Sequence, residues 1–322
     1  MVSDFAVFCY SGYMWKWFRR IVLGVGCIGF LIFIIAAYNG VQNDKRLENE
    51  KKFGKNTDRS TFEWPDPDVK TITSVPVDLT QILSISKYRS CSGHDRAGYN
   101  FQKTLETDRS MKHYLFPIAQ FQGTTNKIKL FAPFDGIVAM VQWVNPDGTK
   151  VRSDWLRKDG RKDFGKPQTA MKGGRRDSGN DIDFVSKLDE NAVFGFRHVI
   201  FTKDFQIGDT VKSGEFIGFA SVSEIMNDFD IDYVGREYKQ EGDSRVEILD
   251  SMFNHMTPGV LAEFAKYGLT PENTQFSKEY RDINPCGYRP DKFGSTACKP
   301  TDGEEGNESR GRDNDCWISL KH

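Results

Sequence analysis

Apolar residues are distributed along this chain in three different ways. From Ile21 to Tyr38 the sequence IVLGVGCIGFLIFIIAAY runs 18 residues without a charge, close to the roughly 20 that a helix needs to cross a bilayer. Trp15, Trp17 and Tyr38 flank it as interfacial anchors, and Lys16, Arg19 and Arg20 precede it, which favours a cytoplasmic N-terminus. A cleaved leader is the alternative, but no A-x-A site follows. From Asn39 to about Lys70 the chain is charged, poor in aliphatics and closed by two prolines, the pattern of a solvated stalk. From about Val77 onward, short apolar runs alternate with Gly, Asp, Asn and Pro, which predicts an antiparallel β domain.

Several strands can be placed. Ile128, Leu130 and Ala132 alternate with Lys129 and Phe131; Pro133-Phe134-Asp135-Gly136 turns the chain into Ile137–Val144. Asp-Gly is expected there for its positive φ. Phe194–Phe201 predicts another strand, and Ile207–Ala220 a hairpin with turns at Gly208-Asp209 and Ser213-Gly214, leaving Val211, Phe216 and Ile217 for the core. Arg157–Asp183, rich in Gly and in charges of both signs, reads as a long loop. Its Arg175 and Arg176 could grip an anion, although such charge runs are usually solvated faces. Thr257-Pro258 starts a helix with Val260, Leu261, Phe264 and Ala265 on one face and Gly268 at its end; Thr270-Pro271 opens a second, carrying Phe276 and Tyr280.

The expected architecture is therefore mainly β. Residues 1–40 form the N-terminal segment and transmembrane helix, 41–75 the stalk, 76–250 the β domain, and 251–322 a helical, cysteine-containing extension.

Composition narrows the functional classes. Of 322 residues 38% are hydrophobic, with 25 Phe and 6 Trp, enough for a firm core. Lys plus Arg (44) balances Asp plus Glu (45), so the chain lacks the overall positive field that nucleic-acid binding uses, and nucleic acid is excluded as a partner. Cys9 and Cys27 belong to the N-terminal region; Cys91, Cys286, Cys298 and Cys316 remain for the outer domain, where an oxidising compartment would pair them in one of three ways. A four-thiolate zinc knot is the rival reading, disfavoured because no C-x2-C pair occurs. Asn307-Glu308-Ser309 is a glycosylation sequon.

The phrases KIKLFAPFDGIVAMV and FRHVIFTKDFQIGDTVKSGEFIGFA, within Met111–Tyr233, resemble those of lysostaphin-like zinc endopeptidases. The matching positions are Ala132–Val138, Phe196-Arg197-His198 and Gly208–Gly218. The resemblance implies a duplicated hybrid-motif β-sandwich or barrel, related to biotinyl and lipoyl domains. CSGHD (Cys91–Asp95) and RSMKHY (Arg109–Tyr114) resemble phrases of exported proteins from ammonia-oxidising archaea, which would imply a surface without conventional peptidoglycan.

In the peptidase family, zinc is held by His and Asp of His-x3-Asp and by a His of His-x-His, leaving one position for a water whose pKa the metal lowers. Here His113 matches the first histidine, but Pro117 stands where its aspartate should be, and Asp228-Phe229-Asp230 occupies the place of His-x-His. His198 matches the auxiliary catalytic histidine. The resemblance thus leaves His113, Asp228 and Asp230 as metal candidates, His198 as the catalytic candidate, and His94 and Asp95 as outside candidates. Each histidine also has a bland reading, as a residue of a turn, a strand or a helix approach. A carrier role would need a lysine at a hairpin tip, and Met111-Lys112 and Met171-Lys172 lie outside the matched hairpins.

The leading expectation is a membrane-anchored extracytoplasmic protein, tethered by residues 21–38, that binds an envelope polymer or envelope protein and uses no cofactor. The rival is a tethered zinc hydrolase with an altered ligand set.

Overall fold

A computed structural model describes residues 64–96, 98–144, 150–152, 180–222, 228–235, 238–239, 245–286 and 315–322. The expected transmembrane segment, the expected stalk up to residue 63, Arg175, Arg176, Cys298 and the Asn307 sequon lie outside them. Among the described residues no helix is long and apolar enough to cross a membrane.

The described residues are mainly β, as the alternation predicts. Their fifteen strands include β1 (Ile82–Ser86), β2 (Gly98–Asn100), β3 (Leu105–Glu106), β4 (His113–Pro117), β5 (Lys129–Phe131), β6 (Gly136–Val144), β7 (Lys150–Arg152) and β8 (Asn180–Ser186). The series continues with β9 (Ala192–Phe201), β10 (Thr210–Val211), β11 (Phe216–Ala220), β12 (Phe229–Gly235), β13 (Tyr238–Lys239), β14 (Arg245–Asp250) and β15 (Trp317–Ser319). Two helices, α1 (Pro258–Ala265) and α2 (Lys278–Ile283), follow β14.

One path of hydrogen-bonded neighbours runs β10-β6-β8-β9-β12-β14-β2-β3, and branches leave it where a strand changes partner. The long β9 pairs with β12 through Ala192–Phe196, then with β11 through Val199–Phe201. Similarly, β12 pairs first with β4 and then with β14. Pairing is antiparallel except between β2 and β14, which run parallel, so the sheet is mixed rather than purely antiparallel. Branching lets inward side chains from most strands meet in a single core, where Ile128, Leu130, Val138, Phe184, Phe196, Val211, Ile217 and Phe229 are fully buried.

The two hairpin phrases interlock. β5 pairs with β11 and β6 with β10, so the two strands of the first phrase each pair across to the Thr210–Ala220 hairpin of the second. Ala132 and Gly214–Glu215 exchange backbone hydrogen bonds of 2.8 and 2.9 Å, as do Val138 and Gly208–Asp209. The turn glycines Gly208 (φ +90°) and Gly214 (φ +77°) occupy the left-handed region, as expected. Gly136 does not: its requirement is closeness, since a Cβ there would lie 2.7 Å from the Val185 carbonyl oxygen. Phe216 is also corrected, standing 38% exposed against Phe131 and Phe219.

Three expected boundaries move. Asn180–Asp183 belongs to β8 rather than to a loop. Residues 64–75, expected as the end of a stalk, belong to the folded domain: Trp64 packs edge-on against Tyr99, Thr71 and Ile72 are fully buried, and the Thr71 hydroxyl meets the Tyr233 hydroxyl at 2.6 Å. The C-terminal region is not an appendage, because β15 pairs with β1 and the Ile72 backbone bonds to His255 and Thr257.

In α1, Thr257 stands at the N-cap position with its carbonyl accepting from Leu261 N–H, Pro258 leads, and Gly268 at φ +81° lets the Leu269 N–H reach back to the Phe264 carbonyl. Val260 and Phe264 are buried, while Ala265 is exposed. The second helix starts at Lys278, capped by the Ser277 hydroxyl, not at Pro271.

Cys91 and Cys286 form a disulfide between positions 195 apart, and Cys316 is also disulfide-bonded. Around this link, buried Glu106 accepts from Arg89, Arg109 and Asn100, and Arg109 also reaches Asp282 of α2 at 2.6 Å.

Candidate functional site

Strand alternation divides β8, β9 and β12 into two faces. Ile182, Phe184, Phe194, Phe196, Phe229, Ile231 and Tyr233 enter the core. The opposite face carries Asp181, Asp183, Gly195, Arg197, Asp228, Asp230 and Asp232. Both strands flanking β9 hold the same five-residue pattern, Asp181-Ile182-Asp183-Phe184-Val185 and Asp230-Ile231-Asp232-Tyr233-Val234. In register, Asp183 and Asp232 both lie opposite Gly195.

Over that glycine lies the Arg197 guanidinium, bonded to Asp183 at 2.5 Å and to Asp232 at 3.1 Å. A Cβ on Gly195 would collide with the Asp183 carboxylate and come within 2.7 Å of Arg197 Nη2, so the cross-strand clamp requires glycine there. Arg96 adds a second cation, 3.0 Å from Asp232 and forked onto Glu247 of β14. Lys112, one residue before β4, adds a third, 2.8 Å from Asp230 and 3.5 Å from Asp232. Asp183 and Asp232 are fully buried, so three cations and four carboxylates form one largely dry network. Burial opposes ionisation of Asp232, yet Arg96, Lys112 and Arg197 together hold its carboxyl well below the usual carboxylate range.

His113 is on the other face. It pairs with Ile231, whereas Tyr114 pairs with Asp230, and a one-residue offset along a strand turns a side chain to the opposite side. His113 Nδ1 meets the Ser86 carbonyl and Nε2 the Ser251 hydroxyl, each at 2.9 Å. Because a carbonyl only accepts, Nδ1 carries the proton and Nε2 accepts from Ser251. Phe253 packs edge-on to the ring, and burial pushes its pKa down to about 4.

A stability prediction follows from that neutral imidazole. The unfolded chain takes up this proton near pH 6.5 and the folded chain only near 4. His113 therefore contributes its full stabilisation above pH 6.5 and loses it as pH falls from 6.5 towards 4, by about 3 kcal/mol at most. Denaturant titrations at several pH values should show that slope in the wild type and a shallower one in His113→Gln. Equal slopes would refute the assignment.

His198 sits where β9 leaves β12 for β11. Its φ of +65° is rare for a residue with a Cβ. Its N–H donates to Asp181 at 3.3 Å, and its carbonyl accepts from Ser221 at 2.6 Å. Asp228, buried, immediately precedes β12, and Asp230 is engaged by Lys112. His94 is exposed and its N–H donates to the Tyr114 hydroxyl; Asp95 accepts the Arg109 N–H at 3.1 Å.

The fold thus places Asp228 just before β12 and Asp230 within it, but turns His113 away from Asp230. Among the described residues, no group of three or more His, Cys, Asp or Glu side chains is placed to hold a metal ion. Arg96, Lys112, Asp183, Arg197, Asp232 and Glu247 are the polar residues that the sequence reading missed. The twice-occurring Asp-Ile-Asp pattern was the available signal, since alternating acids in an apolar strand demand buried counter-charges. No family model matches the chain, and no curated protein does either.

Proposed function

We propose that this chain is a membrane-anchored extracytoplasmic protein whose β domain binds or organises envelope components instead of hydrolysing them. One observation carries the reading: the face that a lysostaphin-like site would use for metal is closed by ion pairs, with Lys112, Arg96 and Arg197 taking up the carboxylates Asp230 and Asp232. A cation site whose acids are already neutralised by fixed side chains has little affinity left for zinc. The reciprocal pairing of β5–β6 with β10–β11 supports a duplicated hybrid motif, the Cys91–Cys286 disulfide supports an oxidising compartment, and the uncharged run 21–38 supports the anchor.

The test is elemental analysis of the full chain, purified in detergent and desalted after exposure to zinc. Less than a tenth of an equivalent is expected, on the order implied by the occupied acids. Stoichiometric zinc with chelator-sensitive cleavage of peptides would overturn the proposal.

The altered-ligand hydrolase has one observation in its favour, the left-handed backbone of His198, because strained residues gather at functional sites. That reading requires His113→Ala and His198→Ala each to lower metal content in a folded protein.

A further inference from the structure

Within the ion-pair face, one pair has a geometry that the others lack. Lys112 Nζ and Asp230 Oδ2 are 2.8 Å apart, their side chains are 10% and 5% exposed, and they belong to neighbouring strand segments 118 positions apart in sequence. The arginines of the network fork onto two carboxylates, but Lys112 presents a single primary amine, which becomes a nucleophile once it loses a proton. The second oxygen, Asp230 Oδ1, is buried and has no hydrogen-bond partner among the described residues. A second carboxylate, Asp232, stands 3.5 Å from the same Nζ. Continuing the register one pair beyond His113–Ile231 places Lys112 opposite Asp232, so the rigid ladder holds all three groups together.

We propose that Lys112 and Asp230 condense to an intramolecular isopeptide bond, with Asp232 carrying protons. The chemistry balances without any external reagent. In a dry site the ammonium passes a proton to the Asp230 carboxylate, which exchanges two buried charges for a neutral amine and a neutral acid. The amine nitrogen then attacks Asp230 Cγ, one bond beyond the oxygen it already touches, and a C–N bond forms. Asp232 takes the remaining surplus proton from nitrogen and returns it to the departing hydroxyl. The C–O bond breaks, water leaves, and a secondary amide remains. Fixed proximity supplies the advantage that free lysine and aspartate lack in solution.

Such a bond would join β4 to β12 by a link that reductants cannot open, unlike Cys91–Cys286. The inference does not depend on the binding role proposed above.

Mass spectrometry of the reduced full chain decides it. The wild type is expected to be about 18 Da lighter than its sequence, and a tryptic digest should contain one branched peptide joining Lys112 to Asp230. Lys112→Arg, which keeps the charge but cannot form this amide, should show its full sequence mass, and so should Asp232→Asn. A wild-type chain at full mass with separate Lys112 and Asp230 peptides overturns the proposal. This readout needs no variant to fold. Loss of water in Asp232→Asn would remove Asp232 from the mechanism.

Discussion

Arg197→Met should lower the unfolding free energy by about 3–5 kcal/mol, because it withdraws the one cation that Asp183 and Asp232 share while leaving both carboxylates buried. The methionine chain preserves most of the volume, so the loss measures the charge and not a cavity. Arg197→Lys should recover less than half of it, since an ammonium cannot fork across two strands. Gly195→Ala should weaken the same clamp from the other side, its Cβ occupying the space where the guanidinium lies. Urea unfolding followed by tryptophan fluorescence provides the comparison. A loss under about 1 kcal/mol for Arg197→Met would mean that the two acids are satisfied without it.

Removing the long-range disulfide should have an effect of similar size. Cys286→Ser opens a link spanning 195 positions, and bridges over long loops restrict the unfolded chain most, so a cost of about 2–5 kcal/mol is expected. Two polar contacts oppose complete detachment of α2: Arg109 to Asp282, and the Arg281 guanidinium to the Arg89 carbonyl at 2.7 Å. The variant should consequently unfold at lower denaturant with one transition, not two. An unchanged midpoint would assign the docking of α2 to those contacts alone.

The β character, the turns at Gly208 and Gly214 and the start of α1 were legible because each depends on local chemistry: alternation, positive φ, and proline at the first helical position. The candidate site was less so. His113 was matched to the family's first histidine by its place in the sequence, but such a match fixes a strand face only when the register is known, and here the neighbouring Lys112 extends the Asp230 face. Arg96 and Glu247 join the same network from segments about 150 positions apart, so no local pattern could announce their meeting. The parallel pairing of β2 with β14 was hidden for the same reason, since such partners share no turn.

The pairing of β1 with β15 sets a condition on biogenesis. Ser84–Ser86 cannot complete their ladder until Trp317–Ser319, their partners from the far side of the domain sequence, have been made. During synthesis the body of the domain therefore waits with an open strand edge, exposed to mispairing if the wait is long. A chain cut before Trp317 would keep this seam unsealed, so such truncated copies should be aggregation-prone.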